Sequence, residues 1–415
     1  MTPLDLAAAL VCLAALFGVV NYFVLKMPAA IGMVVIALAT SLTLMGIDLV
    51  VPGFGIDDLV RREVLGIDFA NALLEGMLGF LLFAGALHVD FDSLRAQKWV
   101  VALMASVGVL ISTFIVAIGF HYLAAVPFMI ALVFGALISP TDPVAVLGLL
   151  KAVKVPKSLE VKIAGESLFN DGVAYVVFLI VVAFAFGTAD GEPMGAGDAA
   201  QLFVLEAGGG ALLGAVAGWS VFQAMRRIDD YALEVLLTLA LVMGSYALAL
   251  ALHISGPIAV VVAGLFIGHS GMRHGMSETT RSHVDAFWRL IDEILNAVLF
   301  LLIGLEVFAL TFERNFLLVG LACIPLVLLA RFAAVSLPVT LLSRTRAFTP
   351  GVIPLMTWGG LRGGISVALV LSLPANEHTP LLLTATYVVV IFSIVVQGLT
   401  MAPLTRRMLK KGDMG

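Results

Sequence analysis

Thirteen apolar stretches, each of bilayer-crossing length or close to it, constrain this chain more than any other feature. They fall at about residues 5–26, 28–47, 69–88, 99–123, 124–150, 162–187, 199–225, 231–252, 254–270, 285–311, 315–343, 349–374 and 380–405. Roughly twenty apolar residues in a helix cross the hydrocarbon core. Hydrophobic residues make up 61% of the chain and charged residues 12%, against about a quarter charged in a soluble domain. The expectation is an all-α polytopic membrane protein with about thirteen transmembrane helices, its partner surface being the lipid bilayer. The net charge of −5 is not gathered into any patch suited to nucleic acid. Cys12 and Cys323 both lie in apolar stretches, so neither a disulfide framework nor a cysteine metal site is indicated. Residues 1–5 lack the basic region of a cleavable signal, and the first apolar stretch reads as a spanning helix.

An odd number of spans places the termini on opposite sides, and basic residues decide which side is which. With the C terminus in the cytoplasm, one side collects Lys26, Arg95, Lys98, Lys151, Lys154, Lys157, Lys162, Arg226, Arg227, Arg273, Arg281, Arg344 and Arg346, together with the tail cations Arg406, Arg407, Lys410 and Lys411. The other side receives only Arg61, Arg62 and Arg314. The chain therefore reads as a multi-pass protein of a cell (inner) membrane, N terminus outside, with a short cytoplasmic tail at 406–415. No stretch resembles a soluble domain, so residues 1–415 form one transmembrane unit.

The fifth apolar stretch is interrupted by Ser139-Pro140-Thr141-Asp142-Pro143. The two prolines remove backbone donors, leaving the carbonyls of Ala136 and Ser139 without helical partners, and push Ser139 and Asp142 out of helical geometry. Unpaired backbone at membrane depth is tolerated only where it lines a cavity or is covered by protein. Accompanied by two hydroxyls and a carboxylate, it suits a dehydrated cation; the plain alternative is a proline kink whose Asp142 caps the following half-helix. A second interruption, Trp358-Gly359-Gly360-Leu361-Arg362-Gly363-Gly364, falls in the twelfth stretch. Its glycines weaken the helix and allow close approach. Fifth and twelfth are equivalent places in two six-helix repeats, about 5–187 and 231–405, joined by a linker helix at about 199–225 that inverts the second copy. Inverted repeats with matching broken helices point to a secondary transporter with its site near the midplane; two unrelated kinks are the alternative.

Gly165-Glu166-Ser167-Leu168-Phe169-Asn170-Asp171-Gly172 opens the sixth stretch. At about 100° per residue Ser167, Asn170 and Asp171 share one face, with Glu166 on its flank. Such a face must look toward partners in the protein interior, and those on offer are Asp142, the freed carbonyls, Arg331 and Arg362. A structural network between Glu166 and an arginine explains part of this face, but not the presence of both Asp142 and Asp171.

The pair Ser-Pro-Thr-Asp-Pro and Gly-Glu-Ser-Leu-Phe-Asn-Asp-Gly resembles the signature of the monovalent cation/proton antiporters, the sodium/proton exchanger family, and most closely its prokaryotic NhaP-type members. The likeness extends over the whole chain, including Arg331 in the eleventh stretch and Gly-Gly-Leu-Arg-Gly-Gly in the twelfth. It implies a homodimer in which a core domain of crossed, interrupted helices 5 and 12 moves against a dimerisation domain. It also implies that a monovalent cation and a proton compete for Asp171, with Thr141 and Ser167 as further cation ligands and with Asp142 and Glu166 completing the site. Asn170, Arg331, Arg362 and Ser139 take supporting roles. Where the electrogenic branch has a second aspartate, this chain has Asn170, which resembles the electroneutral branch.

Elementary electrostatics supports the competition independently: a carboxylate taken out of water resists ionisation, whereas an adjacent cation favours it, so proton and metal ion exclude one another. Glu166 is the expected partner of Arg331, and Arg362 is expected to tie the broken helices through their carbonyls. The function expected is exchange of Na+ (or Li+) for H+ by alternating access, with no cofactor and no enzymatic step. A K+/H+ antiporter and a sodium-coupled solute symporter on the same fold are the alternatives. An intramembrane aspartyl protease is disfavoured by the lack of a Gly-x-Gly-Asp stretch, and a channel by the lack of any filter-like repeat. Glu75, Glu306 and the Asp292-Glu293 pair offer themselves for steering cations, with Arg289 one turn from the last two. Gly208, Gly209, Gly210, Gly214 and Gly218 mark a closely packed helix face, within the chain or between protomers.

Overall fold

The computed structural model describes residues 3–50, 69–142, 155–187, 195–310, 313–346 and 348–412, with 146, 148, 150 and 153 between them. Every element assigned in them is helical. In chain order these are α1 (Pro3–Val20), α2 (Ala29–Val50), α3 (Leu78–Leu87), α4 (Phe91–Leu103), α5 (Val109–Ala124), α6 (Phe128–Leu137), α7 (Lys157–Phe186) and α8 (Ala196–Met225). They continue as α9 (Tyr231–Ala251), α10 (Gly256–Phe266), α11 (Glu278–Leu305), α12 (Arg314–Leu342), α13 (Val352–Trp358), α14 (Gly364–Leu371), α15 (Thr379–Phe392) and α16 (Gly398–Gly412). Among the described residues ten helical spans are long and apolar enough to cross a membrane. The three other sequence stretches are α6 with the break that follows it, the charged α11, and the interrupted pair α13 and α14. The fifth stretch beyond Asp142 lies largely outside the described residues.

Two helices start earlier than hydropathy suggests, because a side chain fixes the first turn before the apolar run begins. Asp90 accepts from the Asp92 backbone N–H at 3.2 Å and starts α4 at Phe91 rather than 99. Ser277 accepts from Thr280 N–H at 3.3 Å and starts α11 at Glu278 rather than 285. Each satisfies one of the orphan donors of a helix N-terminus.

The helices pack in two groups. One contains α1, α2, α3, α8, α9, α10 and α11, and the other α4 to α7 and α12 to α16. In the first, the glycine face of α8 lies on α10: a Cβ at Gly210 would strike the Ser255 backbone, and one at Gly218 would come within 3.3 Å of Ala263 Cα. Gly209, Gly210, Gly214 and Gly218 are thus used for packing inside the chain. Trp288 of α11 is fully buried with its ring 4.6 Å from that of Phe83, and its indole N–H donates to Thr238 Oγ1 at 3.0 Å, as a buried indole requires. In the second group Phe120 and Phe134 stack at 4.1 Å between α5 and α6.

Candidate functional site

The first break leaves α6 at Ile138, and the carbonyls that the prolines orphan are recaptured. Ala136 O accepts from Ser139 Oγ at 2.9 Å, while Ser139 O and Pro140 O both accept from Arg362 Nη1, the latter at 2.9 Å. The Asp142 backbone N–H in turn donates to Leu361 O at 2.8 Å, so the two interrupted segments are stitched across each other at their breaks. The second break is held from the last span. There a wider π turn at Ser393–Gln397 presents Ser393 Oγ to the Arg362 N–H at 2.8 Å and Gln397 Nε2 to Trp358 O at 2.9 Å. Single π turns inside α-helices cluster at functional sites. Both side chains are buried, and neither stands out in sequence.

Two glycines of the second break make room for charged side chains. An ideal Cβ at Gly363 would lie 2.6 Å from Asp142 Cβ and 2.9 Å from its Cγ, and one at Gly360 would lie 2.9 Å from Arg331 Cζ. Such distances are unattainable, so glycine at both places is a matter of space. Arg331 of α12 forms a two-pronged ion pair with Glu166 of α7, Nη1 to Oε1 and Nη2 to Oε2 at 2.9 Å, and its Nε reaches Met356 O at 3.3 Å. Both side chains are under a tenth exposed.

Asn170 uses both ends of its amide on the first break. Nδ2 donates to Thr141 Oγ1 at 2.8 Å, and Oδ1 faces the Thr141 N–H at 3.5 Å. Because Thr141 Oγ1 accepts that bond, its own proton is available to Ser167 Oγ, 3.1 Å away. Thr141, Ser167 and Asn170 are thereby brought together, whereas the Ser139 hydroxyl is spent on its own helix end. Asp171, one residue on, is 5% exposed, and its Oδ1 has no hydrogen-bond partner among the described residues.

Asp171 and Asp142 open into the same cavity, about 820 Å³ in volume, between α3 and α11 of one helix group and α7 and α14 of the other. Asn296 of α11 and Ser366 of α14 line it too; Asn296 Oδ1 and Ser366 Oγ are also buried without a partner among the described residues. Sequence reasoning missed both, since one amide or hydroxyl in an apolar helix is no signal by itself. The cavity leads to the membrane side that carries Asp90, Lys157 and Arg273. At its mouth Lys157 pairs with Asp90 at 2.5 Å and holds that carboxyl down at about 2, through the side-chain hydrogen bond first.

Asp292 and Glu293 line the cavity, but Arg289 is engaged elsewhere, with Asp285 at 2.9 Å. Glu75 stands exposed on the π turn before α3 and Glu306 is buried in the turn after α11; neither lines the cavity.

Two interrupted helices that cross at paired breaks, with a buried and a half-buried carboxylate facing a cavity between two helix groups, define a membrane carrier of the broken-helix type. The chain belongs to the sodium/hydrogen exchanger family, whose transmembrane region matches residues 9–407. It is 48% identical to the Na(+)/H(+) antiporter NhaP of Pseudomonas aeruginosa over 97% of this chain and 96% of that one. It is 38% identical to the Na(+)/H(+) antiporter NhaH of Halobacillus dabanensis, over 92% and 93%. Its fold matches that of the sodium proton antiporter MjNhaP1 from Methanocaldococcus jannaschii with a TM-score of 0.76 at 18% identity, covering 98% of both chains. The family is one of transporters, not enzymes.

Proposed function

We propose that this protein exchanges Na+ for H+ across a cell membrane, one for one, with cation and proton competing for Asp171. One observation carries the reading: Asp171 is buried on the cavity, on the α7 face that supplies the Ser167 hydroxyl, against which the first break sets the Thr141 hydroxyl, with one carboxylate oxygen unpartnered among the described residues. Cation ligation by Asp171, Thr141 and Ser167 would complete that oxygen, and a proton would do so equally.

Charge balance supports electroneutrality. In the crossing Glu166 is neutralised by Arg331, and Arg362 binds the two carbonyls that precede Asp142. Three carboxylates against two guanidiniums leave one negative charge, and Asn170 adds none. A single proton or a single monovalent cation restores neutrality on either stroke. The membrane potential, worth about 2.3 kcal/mol per charge per 100 mV, then has no net charge to act on. Alternating access follows from the two helix groups moving against each other around the crossing, with the present cavity as the cytoplasm-facing state. The repeats at about 5–187 and 231–405 supply one broken helix each, and homodimerisation is expected through the group that lacks the crossing.

The test is reconstitution into liposomes with internal pH followed after pulses of Na+, Li+ and K+, no organic solute being present. Wild-type protein is expected to move protons on a Na+ pulse, with a null point where cation and proton ratios match at every imposed potential. Asp171→Asn is expected to abolish exchange while the protein stays folded. Wild-type rates in that variant would sink the assignment, and a null point that shifts with voltage would refute one-for-one exchange. Absence of proton movement without an added solute would favour symport.

A further inference from the structure

We infer that the cytoplasmic ends of α4, α7 and α12 form a binding site for the phosphate headgroup of an anionic phospholipid, with Lys162 and Arg346 as its cationic ligands. The argument starts from Lys162, which is 2% exposed and yet makes no ion pair among the described residues. Its ammonium lies 4.7 Å from the centre of the Phe348 ring, and the charged group acting on it is a second cation, Arg346. Arg346 is anchored by Nη1 to Ala96 O of α4 at 2.7 Å. Among the described residues no ion pair includes Lys162, Arg346, Arg95, Lys98 or Arg344. The flanking segments bring no acid either: residues 143–156 and 343–351 contain Lys151, Lys154, Arg344 and Arg346 but neither Asp nor Glu.

A buried cation beside a second cation is costly unless an anion completes the set. An aromatic face offsets only part of that cost. The surroundings select a lipid over a soluble anion. Trp99, on the turn of α4 after Ala96, is largely exposed with Lys98 over its ring at 5.5 Å, the pattern of a side chain at the headgroup level. Leu341 and Leu337 of α12 are exposed one and two turns into the membrane from the same end, a track for acyl chains. Basic pockets between spanning helices on the cytoplasmic side bind anionic headgroups by this combination. Lys162 precedes Glu166 by one turn of α7, and Arg346 lies in the turn just after α12, which carries Arg331, its backbone N–H donating to Leu342 O at 2.9 Å. A headgroup bridging the two cations would therefore brace the helices that hold the buried ion pair.

The experiment measures phosphatidylglycerol binding to the full-length protein in phosphatidylcholine nanodiscs, by native mass spectrometry and by the shift in thermal unfolding temperature. Wild type is expected to retain phosphatidylglycerol and to melt higher with it. Each of Lys162→Gln and Arg346→Gln is expected to weaken binding by about fivefold, the weight of one cation at an anionic surface. Arg227→Gln, on the same membrane side but at the end of α8, is expected to change nothing. Arg346 is only half-buried, so Arg346→Gln keeps the test open if Lys162→Gln does not fold. Equal binding in the wild type and in Arg346→Gln would overturn the proposal. So would an equal loss in Arg227→Gln, which would mean diffuse surface attraction, or displacement of the lipid by inorganic phosphate, which would mean a soluble ligand.

Discussion

Glu166 and Arg331 offer the sharpest test of how the site is held. Their two-pronged contact joins α7 to α12, Arg331 Nε adds a bond to Met356 O in α13, and both side chains are almost wholly buried. Changing Glu166 to Leu leaves a guanidinium buried without its counter-charge, and changing Arg331 to Met leaves a carboxylate in the same position. Removing one partner of a buried pair costs about 3–5 kcal/mol, whereas replacing both by apolar groups of similar volume is often close to neutral. The double change Glu166→Leu with Arg331→Met should therefore be more stable than either single variant, recovering most of that loss. Reversible unfolding of the purified protein in mixed micelles, as a double-mutant cycle, measures it. The double variant should not regain full exchange, because the Met356 bond is also gone. Losses that simply add would show that the two side chains act independently, contrary to the geometry.

Gly363→Ala forces a methyl into the space of Asp142, so it should cost about 1–3 kcal/mol by overpacking and strongly reduce exchange, read in liposomes and by thermal unfolding; unchanged transport would mean that Asp142 is not held there. Asn170→Ala removes both amide contacts to Thr141 and should raise the apparent Na+ constant severalfold without making the null point voltage-sensitive. Asp292→Asn with Glu293→Gln should slow Na+ capture at low ionic strength and approach wild type at high salt, since steering from a cavity wall is screened. The Asp90 carboxyl, held at about 2 against 3.8, contributes stability above the higher value that is lost as pH falls through the lower one. Lys157→Gln should therefore leave the shape of the pH–activity profile between roughly pH 5 and 8 unaltered; a displaced profile would tie the pair to proton sensing.

Both breaks were legible because proline and glycine punctuate a helix whatever surrounds it, and the Glu166–Arg331 contact because two buried opposite charges have few alternatives. Partners that depend on rotamer and register were not legible. Arg289 can reach Asp285 one turn back or Asp292 and Glu293 one turn ahead, and the structure shows the first. Ser393 and Gln397 serve the second break because a π turn places them there, and a serine in an apolar span ordinarily bonds its own helix. The glycine face of α8 announced close packing, but small residues do not name the helix they meet, and here it is α10.

A helix broken in hydrocarbon must re-house every carbonyl and N–H it exposes, and this crossing does so almost entirely from within. Ala136, Ser139, Pro140, Met356, Trp358 and Leu361 all have their carbonyls occupied by named donors. Cation binding has no part in that accounting. The crossing can stand while its cargo changes, and Asp171 Oδ1, on the cavity, is a carboxylate oxygen with no hydrogen-bond partner among the described residues. Stability and exchange should accordingly separate: substitutions at Asp171 should silence transport with little cost in stability, whereas substitutions at Arg362 or Ser393 should loosen the crossing and lose transport as a consequence. On the reading proposed above, proton and cation occupy the same position, and exchange is compulsory because neither can be held without displacing the other.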